Sequence, residues 1–342
     1  MTADLVSPSN LTPSRRQCCL GAAALAALLA CAAMPMAARA QGDWPVKPIK
    51  IIVPYAPGGS ADTLGRLIGR HLQEALKQSV LIENKGGAGG VIGSREVAKA
   101  APDGYTLVVS GIGSHVIAPV EQAGAYDPLA EFTHIAKLAG PPLGMVVNAE
   151  LPVKDVKGFI AFTQASPSGI SWGSPGQGTH GHLTGELFRR ANALNMVHIS
   201  YKGAGPAVAD LLGNQIPAAF MTLSSSNAHV DTGKLRLLAV SSSQRVAAYP
   251  QVPTLAELGY AQLTGTTWFS ISGPAGMPSA IVERLNAEIR KGLQSPAVAK
   301  VLAAESMETM DLDAAAFTRY VASELARWTP AVRAIKRPGN AP

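Results

Sequence analysis

The chain has three cysteines among its 342 residues, and all of them lie within the first 40 positions: Cys18, Cys19 and Cys31. The part of the chain after residue 40 therefore carries no thiol, which excludes disulfide bonds, a cysteine nucleophile and a cysteine-ligated metal from it. A protein without disulfides depends on its apolar core. The remaining length is sufficient for a large core, which we expect in two lobes.

Clusters of basic residues are also lacking. The whole chain has a net charge of +6, and removal of residues 1–40 takes away three arginines and one aspartate, which lowers the net charge to +4. The remaining charge is spread along the chain and does not form the basic block that attracts nucleic acid. We therefore expect no nucleic-acid partner.

The first 40 residues have the pattern of a secretory signal peptide. Arg15 and Arg16 precede an apolar stretch, and Ala38-Arg39-Ala40 places small residues at both positions of a cleavage site. Glycine and proline interrupt the apolar stretch, which argues against a permanent membrane span. We expect export and cleavage after Ala40. Two details stay open: the paired arginines also occur in twin-arginine signals, and Leu28-Leu29-Ala30-Cys31 resembles a lipoprotein cleavage site.

Three glycine-rich loops follow strand-like apolar runs and lead directly into helix-like patterns. The loops are residues 56–62, 86–90 and 175–180. The first amides of a helix lack intrahelical acceptors and lie at the positive end of the helix dipole, and glycine lets a ligand approach the backbone closely. No arginine lies in any of these loops, so they offer no bidentate guanidinium clamp. The pattern predicts that backbone amides hold a small anion.

Strand and helix patterns alternate along the rest of the chain, which favours parallel sheets covered by helices on both faces. Proline and glycine interrupt the alternation near residue 142, and a second break comes near residue 265. We interpret both breaks as crossings between lobes. The prediction is an α/β protein with two doubly wound domains joined by two crossover strands. Residues 41–142 and 265–342 would form the first domain, residues 143–264 the second, and a ligand cleft would lie between them.

Two short motifs are typical of enzymes, but their context does not fit. Residues 169–173 match the G-x-S-x-G pattern of a nucleophile elbow, yet Ser171 lies inside the predicted strand and not on the turn after it. Residues 176–181 match G-x-G-x-x-G, yet the next strand ends in Tyr201-Lys202 and not in the acid that would hold a ribose. A secreted serine hydrolase that uses Ser171 remains the disfavoured alternative, and we expect no catalytic residue.

Three histidines near the third loop are candidate metal ligands. His180 and His182 flank one glycine at a predicted helix start, where their side chains diverge, so we expect no metal site with His198. We expect His182 to help cap the helix and His180 to be solvated. Ser60 and Asp62 lie where a helix cap belongs, and each could cap the helix, contact a ligand, or do both.

Longer blocks of the chain resemble a known family. The blocks PYAPGGSAD, NKGGAGG, PDGYTL, SWGSPGQGTHGHLTGELF and HISYKGAGPAVADLLGNQI resemble the Bug-type (tripartite tricarboxylate transporter) periplasmic solute-binding receptors. The resemblance covers essentially the whole chain after residue 40. It implies a two-lobed type II periplasmic-binding fold that closes around one small carboxylated ligand and delivers it to the membrane carrier subunits of a transporter, or to a sensor. We expect a monomer that needs no cofactor and catalyses no reaction.

The resemblance also implies where the ligand binds. In such receptors, main-chain amides and ordered water in the first lobe hold the carboxylate, and a loop and helix start in the second lobe complete the site. We add Tyr201, an aromatic residue at a strand end. The predicted binding residues are Tyr55, Gly58, Gly59, Ser60, Asp62, Gly89, Ser174, Gly178, Thr179, His182 and Tyr201. At position 179 the family usually has serine, so threonine keeps the hydroxyl and adds a methyl group. The identity of the ligand stays open: an amino acid, a di- or tricarboxylate or an aromatic acid.

Overall fold

The computed structural model describes residues 44–122 and 124–336, so the predicted signal peptide lies outside the described residues. Two five-stranded sheets with helices packed on them form the two lobes of an α/β fold. Among the residues described, no helix is both long enough and apolar enough to cross a membrane.

The chain builds most of the first lobe before it enters the second. The elements of this part are β1 (Ile49–Val53), α1 (Ser60–Leu76), β2 (Val80–Asn84), α2 (Val91–Ala98), β3 (Thr106–Gly111), α3 (Ala118–Glu121) and β4 (Phe132–Lys137). A π-helical turn, Gly113–Ile117, leads from β3 into α3. A two-residue strand, β5 (Ala139–Gly140), follows β4 on the way to the second lobe.

The second lobe is one continuous part of the chain, after which the chain returns to the first lobe. The second-lobe elements are β6 (Leu143–Asn148), α4 (Val156–Gln164), β7 (Ile170–Ser174), α5 (His180–Ala191), β8 (Met196–Ser200), α6 (Ala204–Leu212), β9 (Ala218–Thr222), α7 (Asn227–Asp231) and β10 (Leu235–Val240). The returning part comprises β11 (Phe269–Pro274), α8 (Ser279–Leu293), α9 (Pro296–Ala304), β12 (Glu308–Thr309) and α10 (Ala314–Lys336).

Both sheets are mixed, which corrects the expectation of parallel sheets. The first sheet has the order β2-β1-β3-β11-β4, and β11 runs antiparallel to both of its neighbours. The second has the order β10-β6-β9-β7-β8, and β6 runs antiparallel to β9 and β10. In each sheet one antiparallel strand is the first strand after a crossing between lobes. It enters at the end of the sheet that faces the other lobe, where the parallel strands end, and therefore runs against them.

Two segments that lie side by side connect the lobes. The amide of Thr267 donates to the carbonyl of Pro141 over 2.8 Å, and Pro142 pairs with Thr266 in an isolated antiparallel bridge. Nearby, the hydroxyl of Ser241 donates to the carbonyl of Gly265 over 2.5 Å and accepts from the amide of Leu143 over 2.8 Å. Both crossings of the chain are thus held together by backbone and serine hydrogen bonds.

Helix α1 packs directly on the first sheet because two glycines lie on its buried face. A Cβ at Gly65 would lie 2.9 Å from Cγ2 of Val53, and a Cβ at Gly69 would lie 2.9 Å from Cδ1 of Ile82. Apolar side chains on the same face, among them Leu64, Ile68 and Leu72, are fully buried. This close packing fixes the position of the first turn of α1, where the predicted site begins.

Helix α10 anchors the chain where it returns from the second lobe. Trp268, which immediately precedes β11, is fully buried beside Phe317 and Val321 of α10. Its indole nitrogen donates to Oε2 of Glu324 over 2.9 Å. The returning segment is therefore fixed on the first lobe directly beside the connection.

Candidate functional site

A cavity lies between the two lobes, with about 460 Å³ of space among the atoms that line it. The first lobe and the returning segment contribute Tyr55, Gly59, Ser60, Ala61, Gly113, Thr267 and Phe269. The second lobe contributes Leu143, Pro175, Thr179, His180, Gly181, Ala204 and Thr222. The cavity therefore needs both lobes.

Three helices begin at this cavity. Helix α1 begins at Ser60, α5 at His180 and α6 at Ala204, and all three residues line the cavity. The first amides of a helix have no acceptor within the helix and carry the positive end of the dipole. Helix starts from both lobes thus surround a space that suits an anion.

Among the predicted binding residues, Tyr55, Gly59, Ser60 and Thr179 line the cavity, whereas the other seven lie beside it or farther away. Gly59 has an extended backbone with φ of −99° and is the N-cap of α1. Its Cβ position faces the other lobe, 3.5 Å from Cβ of Ala204. Positive φ occurs one residue earlier, at Gly58 (φ 88°), where only glycine is free of strain.

The carboxylate of Asp62 stabilises the first glycine loop through hydrogen bonds. Its carboxylate accepts hydrogen bonds from the amide of Gly58 (3.2 Å), Nε of Arg66 (3.1 Å) and Nδ2 of Asn84 (3.0 Å). Burial alone would raise the pKa of Asp62, but the hydrogen bonds from Arg66, Asn84 and Gly58 outweigh this effect and hold the pKa below its usual value. The carboxylate therefore orients the loop that presents Ser60 and does not itself line the cavity.

The third glycine loop uses most of its polar groups to hold its own shape. The amide of Gly176 donates to Oγ of Ser174 (3.2 Å), and the amide of Gly178 donates to Nδ1 of His182 (3.3 Å). The amide of Gln177 donates to Oγ of Ser200 over 2.8 Å. His180 and Gly181, at the first turn of α5, line the cavity, and the first amides of a helix have no acceptor within the helix.

Thr179 is the N-cap of α5, and both bonding functions of its hydroxyl serve the loop. The hydroxyl donates to the carbonyl of Gly176 over 2.6 Å and accepts from the amide of His182 over 3.3 Å. Nδ1 of His182 accepts from the amide of Gly178, in the loop before the N-cap, so this side chain holds the loop and the cap itself is Thr179. The ring of His182 lies parallel to the indole of Trp172 at 6.5 Å and is largely buried.

His180 is buried and not solvated, which corrects the expectation from the sequence. Its side chain is 1% exposed, Nδ1 lies 2.9 Å from Oγ1 of Thr267, and the ring packs edge-on against Trp328. Burial, and to a smaller extent the charge of Arg327, lowers the pKa of His180 to about 3. The imidazole is therefore neutral at neutral pH and joins α5 to the returning segment at the cavity wall.

A cluster of hydroxyl groups spans the lobes at the cavity, and the sequence interpretation missed it. Oγ of Ser60 lies 2.7 Å from Oγ1 of Thr222 and 2.5 Å from Oγ of Ser224, and Thr222 lies 2.7 Å from Ser225. The available signal was the run Thr222-Leu223-Ser224-Ser225 directly after the buried strand β9. Three hydroxyls of the second lobe thus approach the one hydroxyl at the start of α1.

Gly89 lies where the two lobes touch. It has a φ of 65°, and a Cβ at this position would overlap the carbonyl oxygen of Gln177 in the other lobe. Near it, the amide of Ala56 donates to the carbonyl of Lys202 over 2.8 Å, which joins the lobes directly. The second glycine loop therefore serves the contact between lobes in this arrangement.

Of the two predicted tyrosines, Tyr55 lines the cavity and Tyr201 does not. The hydroxyl of Tyr55 donates to the carbonyl of Gly89 over 3.3 Å, and burial raises its pKa to about 12. Tyr201 donates to Oδ2 of Asp210 over 2.7 Å and does not line the cavity. Burial and the hydrogen bond to Asp210 raise the pKa of Tyr201 above its usual value.

The candidate residues for enzyme or metal chemistry lie in β7, in α5 and in β8. Ser171 lies inside β7, before the turn that a nucleophile elbow requires. The rings of His182 and His198 lie 4.5 Å apart, and His198 contacts Oγ of Ser174 over 2.7 Å. Within residues 44–122 and 124–336, no group of three or more histidine, cysteine, aspartate or glutamate side chains is arranged to hold a metal ion.

Comparison with known proteins identifies the family. Residues 64–337 match the family model of the tripartite tricarboxylate transporter family receptor. The chain is 37% identical over 294 residues to BugT of Bordetella pertussis, an alignment that covers 85% of this chain and 90% of BugT. The solved structure of Rpa4515 of R. palustris with adipate is 31% identical with a TM-score of 0.81, over 86% of this chain and 98% of that one. The structure of MatC from Rhodopseudomonas palustris with bound malate is 28% identical, also with a TM-score of 0.81, over 84% of this chain and all of that one. The chain therefore belongs to the receptor family of tripartite tricarboxylate transporters, the Bug-type periplasmic solute-binding proteins.

Proposed function

We propose that the protein is a periplasmic receptor that binds a small organic carboxylate between its lobes and delivers it to the membrane carrier subunits of a tripartite transporter, or to a sensor. The observation that carries this proposal is the meeting of helix starts from both lobes at one cavity. The adipate and malate in the related structures support a carboxylate as the ligand. The receptor acts as a monomer and catalyses no reaction.

The carboxylate is held by backbone amides. On the first lobe, the amides of Ser60 and Ala61 are the donors, and on the second lobe those of Gly181 and Ala204. All four residues line the cavity. Hydrogen bonds from uncharged donors to a carboxylate are strong but still allow release, which a receptor that delivers its ligand requires.

Ligand binding stabilises the closed arrangement because the ligand contacts both lobes. Residues 41–142 and 265–342 form one rigid unit in this proposal, and residues 143–264 form the other. The membership of the two sheets supports this division, since β1 to β4 and β11 lie in one sheet and β6 to β10 in the other. A ligand that contacts only one unit would not shift the equilibrium between open and closed states.

The role of the backbone amide at the start of α1 can be tested with two variants of one residue. Ser60→Pro removes the amide hydrogen and the hydroxyl, whereas Ser60→Ala removes only the hydroxyl. Proline is well tolerated at the first position of a helix, and the preceding Gly59 already has the extended backbone that proline requires (ψ 171°). The difference between the variants therefore reports the amide.

A thermal-shift screen of the purified protein against a carboxylate library would identify a ligand. Saturation at about 100 times Kd adds about 2.7 kcal/mol of apparent stability. Calorimetry with that ligand should then show that Ser60→Pro binds about ten- to a hundredfold more weakly than Ser60→Ala, because a hydrogen bond to a charged group contributes about 1.5–3 kcal/mol. Equal affinities of two well-folded variants would mean that the carboxylate lies elsewhere. No binding to any carboxylate would overturn the proposed function.

A further inference from the structure

A buried carboxylate lies where the first lobe meets the third glycine loop. Glu121 is the last residue of α3, and its side chain is 9% exposed. Its Oε1 accepts from Nε2 of Gln177 in the second lobe over 2.9 Å. Its Oε2 lies 3.0 Å from the Cβ position of Gly178 and is buried without a hydrogen-bond partner among residues 44–122 and 124–336. The carboxylate therefore faces the second lobe with one of its two oxygens unpaired.

The nearest basic side chain to Glu121 in the described part of the chain is His182, which is not a cation at neutral pH. Its Nδ1 lies 3.8 Å from Oε1 of Glu121. Because Nδ1 accepts from the amide of Gly178, it turns a lone pair and not a proton towards the carboxylate. Burial lowers the pKa of His182 and outweighs the opposite effect of the charges of Glu121 and Glu186. The negative charge of Glu121 is therefore not balanced by its neighbour.

The contacts that bury the carboxylate of Glu121 exist only while the lobes touch. Gln177 and Gly178 belong to the second lobe, so separation of the lobes in the proposed open state returns the carboxylate to water. Water stabilises a carboxylate through several hydrogen bonds, and the single bond from a neutral amide replaces only part of that stabilisation. Burial of this charge therefore makes the closed arrangement less stable.

The carboxylate of Glu121 also lies beside a helix start that is proposed to hold the ligand. Gly178 precedes Thr179, the N-cap of α5, and both Thr179 and Gly181 line the cavity. A ligand carboxylate at this helix start adds a second negative charge to the same region, and like charges repel each other. Glu121 thus acts against the bound ligand in two ways, through closure and through repulsion.

We propose that Glu121 opposes closure of the lobes and lowers the affinity for the bound carboxylate, which allows the receptor to release its ligand. The proposal rests on the proposed function. It adds to that function a residue outside the cavity lining that sets the stability of the closed state.

Two variants with the same chemical change test the role of Glu121. Glu121→Gln keeps the shape of the side chain and an acceptor for Gln177 but removes the negative charge. Glu186→Gln is the matched control, because Glu186 is also largely buried (15% exposed) and lies near His182. Its carboxylate pairs with Arg189 of the same helix over 3.1 Å, so its partner moves with it when the lobes separate.

The effect on closure can be measured without any ligand. Residues 41–342 contain no cysteine, so spin labels attach only at Ile92→Cys in the first lobe and Val197→Cys in the second. Both native side chains are 57% exposed. Pulsed dipolar spectroscopy between the labels gives the ratio of closed to open molecules. Glu121→Gln should raise this ratio at least about tenfold, and Glu186→Gln should leave it unchanged.

The effect on binding is measured with the carboxylate that gives the largest thermal shift in the screen. Calorimetry should give a Kd for Glu121→Gln at least about tenfold lower than that of the wild type, because the apparent affinity rises with the fraction of closed molecules. Stopped-flow should show that the difference arises mainly from slower release. Loss of a side chain that only stabilised the fold would weaken binding instead.

The results that would contradict the two proposals are distinguishable. If folded Glu121→Gln closes no more often than the wild type, or binds with equal or lower affinity, the inference is wrong and the carboxylate receptor remains. If Glu121→Gln does not fold, Glu121→Ala, which also removes the charge, makes the same comparison. If the wild type binds no carboxylate, the proposed function fails together with the effect on affinity, whereas the label distances still test the effect on closure.

Discussion

At the scale of single residues, Thr179 shows how the hydrogen bonds of one hydroxyl can stabilise a loop and a helix start. Thr179→Ala removes both the bond to the carbonyl of Gly176 and the cap on the amide of His182. We expect the free energy of unfolding to fall by about 1 kcal/mol, which is typical of a lost N-cap. Urea denaturation measures it, and Thr179→Ser should retain wild-type stability. Wild-type stability in the alanine variant would show that the cap contributes nothing.

The sequence predicted part of the site because some of its residues are adjacent in the chain. Tyr55, Gly59 and Ser60 follow one strand, and the loop-to-helix pattern was sufficient to find them. Thr222 and Phe269 reach the same cavity from strands that are distant in sequence, and no local pattern links them to Ser60. The expectation that His180 is solvated was wrong because Thr267 and Trp328, which bury its side chain, are distant from it in sequence.

At the scale of secondary structure elements, most predicted strands and loop-to-helix junctions are present. Their apolar runs and glycines are local signals, which is why the sequence predicts β1, β2 and β7, the strands before the three glycine loops. Strand β4 was not predicted, because its residues Phe132–Lys137 include histidine and lysine, which become buried only through tertiary packing. Strand direction was also missed, since it depends on how the chain crosses between lobes and not on local composition.

The loop before α1 provides a prediction at this scale. Asp62→Asn keeps the shape of the side chain but removes the negative charge of the carboxylate, which accepts hydrogen bonds from the amide of Gly58 and from Nε of Arg66. We expect the free energy of unfolding to fall by about 1.5–3 kcal/mol, because these are charge-assisted bonds to a buried group. Arg66→Gln is the control: it loses a half-exposed ion pair and should cost less than about 1 kcal/mol. Equal losses in the two variants, measured by urea denaturation, would contradict the supporting role of Asp62.

At the scale of the whole molecule, buried histidines predict sensitivity to acid. Burial lowers the pKa of five histidines, which therefore stay neutral in the folded protein: His115, His134, His180, His182 and His198. The unfolded chain takes up these protons as the pH falls below about 6.5. The stability present above that pH is thus lost towards lower pH, by about 1.4 kcal/mol per pH unit for each histidine that stays unprotonated in the fold.

Urea denaturation at a series of pH values between about pH 6.5 and pH 4 measures this slope. His180→Gln removes one of the groups, and because the pKa of His180 lies at about 3, the slope should decrease by about one proton in this interval. A stability that does not change between these pH values would show that the histidines are accessible to protons in the folded state.

Closure of the lobes is a property of the whole molecule, and two glycines that both have a positive φ allow its effect on binding to be measured. Gly89 (φ 65°) faces the carbonyl of Gln177 in the other lobe, whereas Gly276 (φ 80°) has no atom within 4 Å of its Cβ position. Alanine at either position incurs a similar cost of a left-handed backbone, about 1–2 kcal/mol. Only Gly89→Ala also obstructs the contact between lobes.

The ligand for this test is the carboxylate that gives the largest thermal shift in the screen. We expect Gly89→Ala to bind it at least about tenfold more weakly than Gly276→Ala does, because the apparent affinity falls with the fraction of molecules that can close. Small-angle scattering with saturating ligand should show a larger radius of gyration for Gly89→Ala. If both variants bind equally, the contact between Gly89 and Gln177 is not part of the ligand-bound state.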